Sequence, residues 1–188
     1  GLSMAKGSGV PNEMLGEILW MYMMQDDKTI RAAAKSTFMK LAPEDAKLAV
    51  KKNWKGIYRT QLIGWPIQPD HLYYYPLREL GILGKALCRT SVSLVKPLIG
   101  ALSDDYMDGK IIHPVSSALG DIGDERAVEP LITMLNNTSQ PIRMQATEAL
   151  CKIESAKGLK IALRDKNQFV RNTAAKALSK IGDKRAVE

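Results

Sequence analysis

The sequence predicts an all-α protein, an α-solenoid of about five stacked antiparallel helix pairs. Three observations lead to this fold class. One apolar pattern occurs in four segments of the chain, a shorter apolar segment precedes each of them, and strand-forming residues are scarce, with only two phenylalanines in 188 residues. Alanine, leucine, lysine and methionine, which favour helices, are plentiful instead.

The four repeated segments begin at Ile30, Ile111, Ile142 and Val170. In each of them, apolar or small residues occupy offsets 0, 4, 7, 8 and 11. These offsets lie on one face of a helix and fit no alternating strand. The last three segments begin 31 and then 28 residues apart, so the pattern is a true repeat. The third copy has Ile142, Ala146, Ala149, Leu150 and Ile153 at these positions.

A shorter apolar helix is predicted before each repeated segment. These helices are "EMLGEILWMYMM" from Glu13, "KPLIGAL" from Lys96, "VEPLITML" from Val128 and "GLKIALR" from Gly158. Polar turns such as "NNTSQP" and "DKNQ" join the two helices of a pair. A single pair cannot bury both of its faces, so neighbouring pairs must stack.

The stretch "DIGDERAVEPL" from Asp121 is nearly repeated by "KIGDKRAVE" at the end of the sequence. We interpret it as the hinge between pairs: Gly123 or Gly182 takes the left-handed conformation that ends a helix. Asp124 or Asp183 then caps the next helix. Because the second copy opens a helix without its apolar partners, we expect a longer parent protein. We also expect self-association through the open C-terminal repeat, where the apolar face of Leu178 and Ile181 lies.

These motifs resemble those of the HEAT-like repeat family named after phycobilisome (PBS) lyases. The resemblance rests on "DERAVEPLITML", on "A-x-x-A-L-x-x-I-G" and on an arginine after the first apolar residue of a segment, at Arg31, Arg143 and Arg171. It is good for residues 97–188, fair for 13–50 and weak for 51–96. The resemblance implies that each arginine bridges adjacent repeats by pairing with an aspartate in the preceding turn. Asp165 fits that role for Arg171, whereas Arg143 has Asn137 at the matching position, so we expect an incomplete ladder.

We divide the chain into residues 1–12, a flexible N-terminus or a remnant of cloning, and a repeat array over residues 13–188. A proline-containing aromatic loop at about 60–76 interrupts the array. Long loops in such arrays are typical places for a partner site. We therefore name as candidate binding residues Trp54, Arg59, Trp65, Tyr73, Tyr74 and Tyr75. The rings either anchor a partner protein or cover an adjacent helix pair, and "KKNWKGIYR" could also grip nucleic acid.

Composition limits the location of the protein. The longest apolar stretch, Ile18 to Met24, is far shorter than the roughly 20 residues of a membrane span. The start "GLSMAKGSGV" has no secretory signal core. Two cysteines, Cys88 and Cys151, make no disulfide framework, so we expect a cytoplasmic location. The net charge of +7 permits an acidic partner without requiring one.

No catalytic, metal-binding or cofactor-binding motif occurs in the sequence. The two histidines lie far apart, and neither neighbours a cysteine at metal-site spacing. No Gly-x-Ser-x-Gly elbow is present. We therefore expect a non-catalytic scaffold without metal or cofactor, binding a protein through its concave surface or its aromatic loop. The alternatives are a nucleic-acid-binding HEAT-like protein and, because the resemblance includes lyase subunits, a bilin lyase-like subunit.

Overall fold

The computed structural model describes residues 12–25, 27–53, 82–87, 90, 93–102 and 109–187. Within these ranges the secondary structure is entirely helical, which confirms the all-α class. The helices are α1 (Asn12–Met24), α2 (Lys28–Leu41), α3 (Glu44–Asn53), α4 (Val95–Leu102), α5 (Gly109–Ile122), α6 (Val128–Met134), α7 (Gln140–Ile153), α8 (Ala156–Ala162) and α9 (Gln168–Val187). A helical stretch at 82–87 and a 3-10 turn, Glu125–Ala127, complete the described elements.

The repeated segments form α2, α5, α7 and α9, and their apolar offsets supply much of the core. The residue at offset 4 is fully buried in all four helices. The residue at offset 8 is fully buried in the first three and half-buried in α9. Offset 0 behaves differently, because Ile30 is 39% exposed whereas Val170 is completely buried. The fully buried residues at these two offsets are Ala34, Val115, Ala146 and Ala174, then Phe38, Leu119 and Leu150.

Three helix pairs lie side by side in the C-terminal half. Helices α4 and α5 pack together, as do α6 with α7 and α8 with α9. The second helices also contact one another in chain order, α5 with α7 and α7 with α9, and α6 contacts α8. At the other end, α1 packs on both α2 and α4. Each pair therefore covers an apolar face that its neighbour leaves open.

The hinge after α5 forms as predicted. Gly123 has a φ of 75°, in the left-handed region that glycine adopts without steric cost. The Asp124 carboxylate then accepts a hydrogen bond from the backbone N–H of Arg126, at 2.9 Å, which caps the 3-10 turn. Buried Ala127 leads from this turn into α6.

The prediction of the same hinge at Gly182 and Asp183 is wrong. Helix α9 continues through both residues to Val187, and Gly182 has no positive φ. At Gly123 the chain leaves the helix axis because α6 and the 3-10 turn pack against neighbouring helices. From Gly182 the helix continues without a break to Val187.

The hinge between α7 and α8 uses different residues for the same turn. Glu154 takes the left-handed conformation with a φ of 60°. The N–H of Ser155 donates to the Leu150 carbonyl at 3.0 Å, the bond that closes a Schellman-type helix end. The Ser155 hydroxyl then caps α8 by accepting from the N–H of Gly158. Tight packing thus imposes the turn even where the sequence has no glycine.

Small residues permit the closest helix contacts. A Cβ atom on Gly16 of α1 would lie 1.9 Å from the backbone carbonyl oxygen of Ser93. A Cβ on Gly120 of α5 would lie 3.0 Å from Cα of Ala149 on α7. The approach of α1 to the chain before α4 therefore depends on glycine.

Among the described helices, none combines the length and the apolar composition that crossing a membrane requires.

We predict that Gly16→Ala destabilises the protein by about 2 kcal/mol or more, because its methyl group collides with backbone that cannot rotate away. The matched control is Gly100→Ala in α4, where a Cβ meets no atom within 4 Å. This change should stabilise the helix by roughly 0.5–1 kcal/mol. Urea denaturation followed by circular dichroism measures both effects. A loss of stability from Gly100→Ala, or none from Gly16→Ala, contradicts the described packing.

Candidate functional site

The aromatic candidates for binding lie outside the described residues. Trp54, Arg59, Trp65 and Tyr73–Tyr75 all fall between α3 and the helical stretch at 82–87. Their role as a partner site therefore stays a prediction from the sequence.

Arg143 and Asp165 form a buried ion pair between adjacent helix pairs. The Nε of Arg143 on α7 donates to Oδ2 of Asp165 at 2.7 Å, and its Nη2 donates to Oδ1 at 3.2 Å. Asp165 lies in the turn between α8 and α9. The two side chains are only 4% and 5% exposed. The pair is bidentate, the geometry in which a guanidinium binds a carboxylate most strongly.

The expected partner of Asp165 was Arg171, and the structure corrects this assignment. Nη1 of Arg171 donates to the backbone carbonyl oxygens of Asp165 and Lys166, at 2.8 and 3.0 Å. Arg143 makes the same contacts in its own turn, where the carbonyl oxygens of Asn137 and Thr138 accept at 3.0 Å. Each arginine side chain thus binds backbone carbonyl oxygens of the turn that precedes its own helix. Because these acceptors belong to the backbone, the contact forms at position 137 although the residue is asparagine and not aspartate. The carboxylate that binds Arg143 belongs to the turn of the following helix pair, because the guanidinium of Arg143 points towards that pair.

Arg31 is half-buried at the start of α2, and its backbone N–H donates to the backbone carbonyl oxygen of Asp27 at 2.9 Å. Its proposed bridge to a neighbouring repeat stays a prediction.

The ion pair affects the titration of Asp165. Hydrogen bonds from Arg143 hold the pKa of the Asp165 carboxyl below its ordinary value, and partial burial opposes this effect. The N–H of Asn167 also donates to Oδ1 of Asp165, at 2.7 Å. The charged carboxylate is therefore the form that joins the two helix pairs.

A groove of about 570 Å³ lies between the C-terminal ends of α5 and α7 and residues 177–181 within α9. Its apolar lining includes Ile122, Ala177 and Ile181. Lysines and carboxylates also line it: Lys85, Lys152, Lys180, Asp121 and Glu154. The groove therefore combines apolar surface with charges of both signs.

One lysine of the groove is already engaged. Nζ of Lys152 lies 2.9 Å from Oδ1 of Asp121 and donates to the Ser117 hydroxyl at 3.0 Å. Both charged side chains are about 40% exposed, so this pair contributes little to stability. Lys85 and Lys180 are exposed and have no ion pair within the described part of the chain. Among the described residues, these two ammonium groups are the lysines of the groove without an ion pair.

Cys151 lines the same groove but is not a reactive thiol. Burial, followed by the charge of Glu148, raises the pKa of Cys151 to about 11. A thiol with this pKa is protonated at neutral pH and is a poor nucleophile and metal ligand. Within the described ranges, no group of three or more histidine, cysteine and acidic residues is arranged to hold a metal ion.

The groove was not foreseen from the sequence, although the sequence holds a signal for it. Offset 10 of the repeated segments is Lys40, Asp121, Lys152 and Lys180. Residues at one offset of stacked repeats lie in a row, and the contact between Lys152 and Asp121 is one step of that row. A comparison of the polar offsets would therefore have indicated a charged row.

The fold and its repeated contacts define an all-helical protein built from helix pairs of one design. The model of the PBS lyase HEAT-like repeat family matches the chain at residues 116–137 and 170–188. These segments contain the two copies of the hinge motif, so the chain carries HEAT-like repeats of this kind, as the sequence motifs indicated. No curated protein matches the chain.

We predict that Asp165→Asn lowers the free energy of unfolding by about 3 kcal/mol, because it leaves Arg143 buried without a counter-charge. The control is Glu129→Gln, which removes the exposed ion pair with Lys157 and should cost less than about 1 kcal/mol. Urea titrations of the three proteins compare these losses. Equal losses for the two variants would show that the buried pair has no special role.

Acid should weaken the wild type more than Asp165→Asn. A carboxyl whose pKa is depressed by folding contributes stability above its unfolded pKa of about 3.9, and this contribution is lost as the pH falls towards the folded pKa. The difference in stability between the two proteins should therefore be constant near pH 6 and shrink below about pH 4. Urea midpoints measured from pH 6 to pH 2.5 test this. A constant difference over the whole range contradicts a charged, paired Asp165.

We predict slow alkylation of Cys151 in the folded protein. In a Cys88→Ser variant, iodoacetamide at pH 8 should react at least about 100-fold more slowly with the native chain than with the urea-unfolded chain, whose thiol pKa is near 8.5. Mass spectrometry of quenched samples gives both rates. Similar rates would mean that the native thiol is neither buried nor raised in pKa.

Proposed function

We propose that the chain is a non-catalytic scaffold that binds a partner protein in the groove between the ends of α5 and α7 and the middle of α9. The supporting observation is the groove itself, which combines apolar surface with two lysines that have no ion pair to any described residue. The sequential contacts of α5, α7 and α9 support an α-solenoid of about five pairs, whose second helices present a continuous concave surface. The proposed location is cytoplasmic, as the cysteine content of the sequence suggests.

The lining of the groove favours a peptide segment with an apolar side chain between carboxylates. Ile122, Ala177 and Ile181 offer a place to bury the apolar side chain. Lys85 and Lys180 are placed to pair with flanking acidic residues. Such charges guide association and fix the register of a partner more than they add affinity.

Nucleic acid fits this groove less well than an acidic peptide. Asp121 and Glu154 are part of the lining and repel phosphate groups. Lys152 is already neutralised by Asp121. The remaining positive charge is too small for the multiple phosphate contacts that non-specific nucleic-acid binding requires.

Selection of a random peptide library displayed on phage tests the proposal. We expect the wild type to enrich peptides with an apolar residue flanked by Asp or Glu. A Lys85→Glu/Lys180→Glu variant should lose this enrichment, because both free cations become repulsive. Lys160→Glu, on the exposed side of α8, changes charge outside the groove and is the control.

Binding of a fluorescent single-stranded oligonucleotide, measured at about 50 mM salt, tests the alternative that the groove binds nucleic acid. Tight binding that falls steeply with salt and is lost in the double variant would show that the ligand of the groove is nucleic acid and not a peptide. Enrichment of the same peptides by the wild type and the double variant would contradict the proposal that the groove is the binding site.

A further inference from the structure

The helix pair α8/α9 carries far more positive charge than the pair before it. Residues 128–153 contain two cations and two carboxylates, whereas residues 156–181 contain seven cations and a single carboxylate. That carboxylate belongs to Asp165, which is 5% exposed and bound to Arg143. The charged groups that residues 156–181 expose to solvent are therefore all cationic.

Part of this charge lies beside apolar side chains at the turn that joins α8 to α9. We call this turn the α8/α9 tip and define it by four side chains: Ile161, Arg164, Lys166 and Phe169. All four are exposed, and Phe169, at 72%, is the most exposed large apolar residue of the described chain. Within the described residues, the side chains of Arg164 and Lys166 make no ion pair and no hydrogen bond. The tip therefore presents two available cations next to two large apolar groups.

The exposure of the tip comes from its place in the helix pair. The equivalent residues of α6/α7 lie 28 positions earlier in the sequence and are Thr133, Asn136, Thr138 and Pro141. All of them are exposed as well, although α6/α7 packs against α8 and α9. Stacking of pairs thus leaves this edge open to solvent. The edge carries no charge at these positions in α6/α7, and it is cationic and apolar in α8/α9.

Hydrogen bonds already hold the backbone of the tip in place. Nη1 of Arg171 donates to the carbonyl oxygens of Asp165 and Lys166. The backbone N–H of Asn167 donates to Oδ1 of Asp165 at 2.7 Å, and the backbone N–H of Phe169 donates to Oδ1 of Asn167 at 2.8 Å. A ligand of the tip therefore has to order side chains only, which lowers the entropic cost of binding.

We propose that the α8/α9 tip binds the surface of a lipid bilayer that contains acidic phospholipids. Phe169 and Ile161 enter the boundary between headgroups and hydrocarbon, and Arg164 and Lys166 contact the lipid phosphates. The tip lies on the bilayer surface, so this mode of binding needs no helix that crosses the membrane. About 18 Å along the axis of α9 separates Phe169 from Ile181 of the groove, so the proposal does not depend on the groove.

Single-stranded nucleic acid fits the tip less well than a bilayer. Such a strand stacks successive bases on several aromatic rings, whereas Phe169 is the one aromatic residue between positions 156 and 181. A phosphate backbone also offers no apolar environment for Ile161, which the hydrocarbon of a bilayer does. Anionic headgroups next to hydrocarbon match the two kinds of side chain at the tip.

Cosedimentation of the full chain with lipid vesicles tests the proposal. One set of vesicles contains phosphatidylcholine with about 30% phosphatidylserine and the other phosphatidylcholine alone, both at about 50 mM salt. We expect binding to the first set and not to the second. Phe169→Ser should weaken binding about tenfold or more, because the buried ring is lost. Arg164→Gln/Lys166→Gln should also weaken it about tenfold or more, since each cation near the surface contributes about fivefold.

The control is Lys51→Gln/Lys52→Gln in α3, which removes two exposed cations away from the tip and should change the affinity less than about threefold. All of the substituted side chains are exposed, and circular dichroism checks that each variant keeps the fold. The position of the contact is read by NMR. Lipids with a spin label in the acyl chain should broaden the signals of residues 161–169 more than those of residues 133–141.

Three results overturn the proposal. Absence of binding to the acidic vesicles shows that the tip is not a membrane site. Equal losses in the tip variant and the α3 variant assign the binding to net charge. Binding of a single-stranded oligonucleotide in place of vesicles, lost on Phe169→Ser, assigns the tip to nucleic acid.

Discussion

The burial of small residues between neighbouring second helices is the constraint on which the rest of the structure depends. Ala146 and Ala174 are fully buried at equivalent positions, and a Cβ on Gly120 would lie 3.0 Å from Cα of Ala149. Such close approach lets Leu119 and Leu150 fill the space between pairs completely. A helix pair alone leaves one of these faces in water, so each pair is stable only beside the next. The turns, the ion pair and the groove all follow from this side-by-side arrangement.

The polar features of the molecule occur where the stacked pairs meet. Arg143 spans from one pair to the turn of the next, and it compensates for its burial with two bonds to Asp165 and two to backbone carbonyls. A buried ion pair of this kind adds less to net stability than it adds to the choice of register, since a shifted pair would leave both charges unpaired. The groove is the other product of stacking. It lies beside Ile122 at the end of α5, Lys152 near the end of α7 and Ile181 within α9.

The comparison of successive pairs is informative because the same design appears in different surroundings. Leu135 and Leu163 have the same place in their pairs, yet only the first is covered. Arg143 and Arg171 hold their turns identically, yet among the described residues only the first has a carboxylate partner. The described part of one chain therefore contains both a filled contact and an open counterpart of it.

The sequence by itself determined the helical class and the helix faces that carry the buried residues at offset 4, because a helix has a fixed period that apolar residues must follow. From the hinge motif it also predicted the left-handed turn at Gly123, which the structure contains. The tertiary structure decided which contacts cross between pairs. Asp165 lies five residues before Val170 of its own segment, yet it serves Arg143 of the preceding pair, since the direction of a guanidinium depends on packing and not on sequence distance. Likewise Gly182 shares its motif with Gly123 but remains helical, because a turn that changes the chain direction needs a neighbouring helix to pack against.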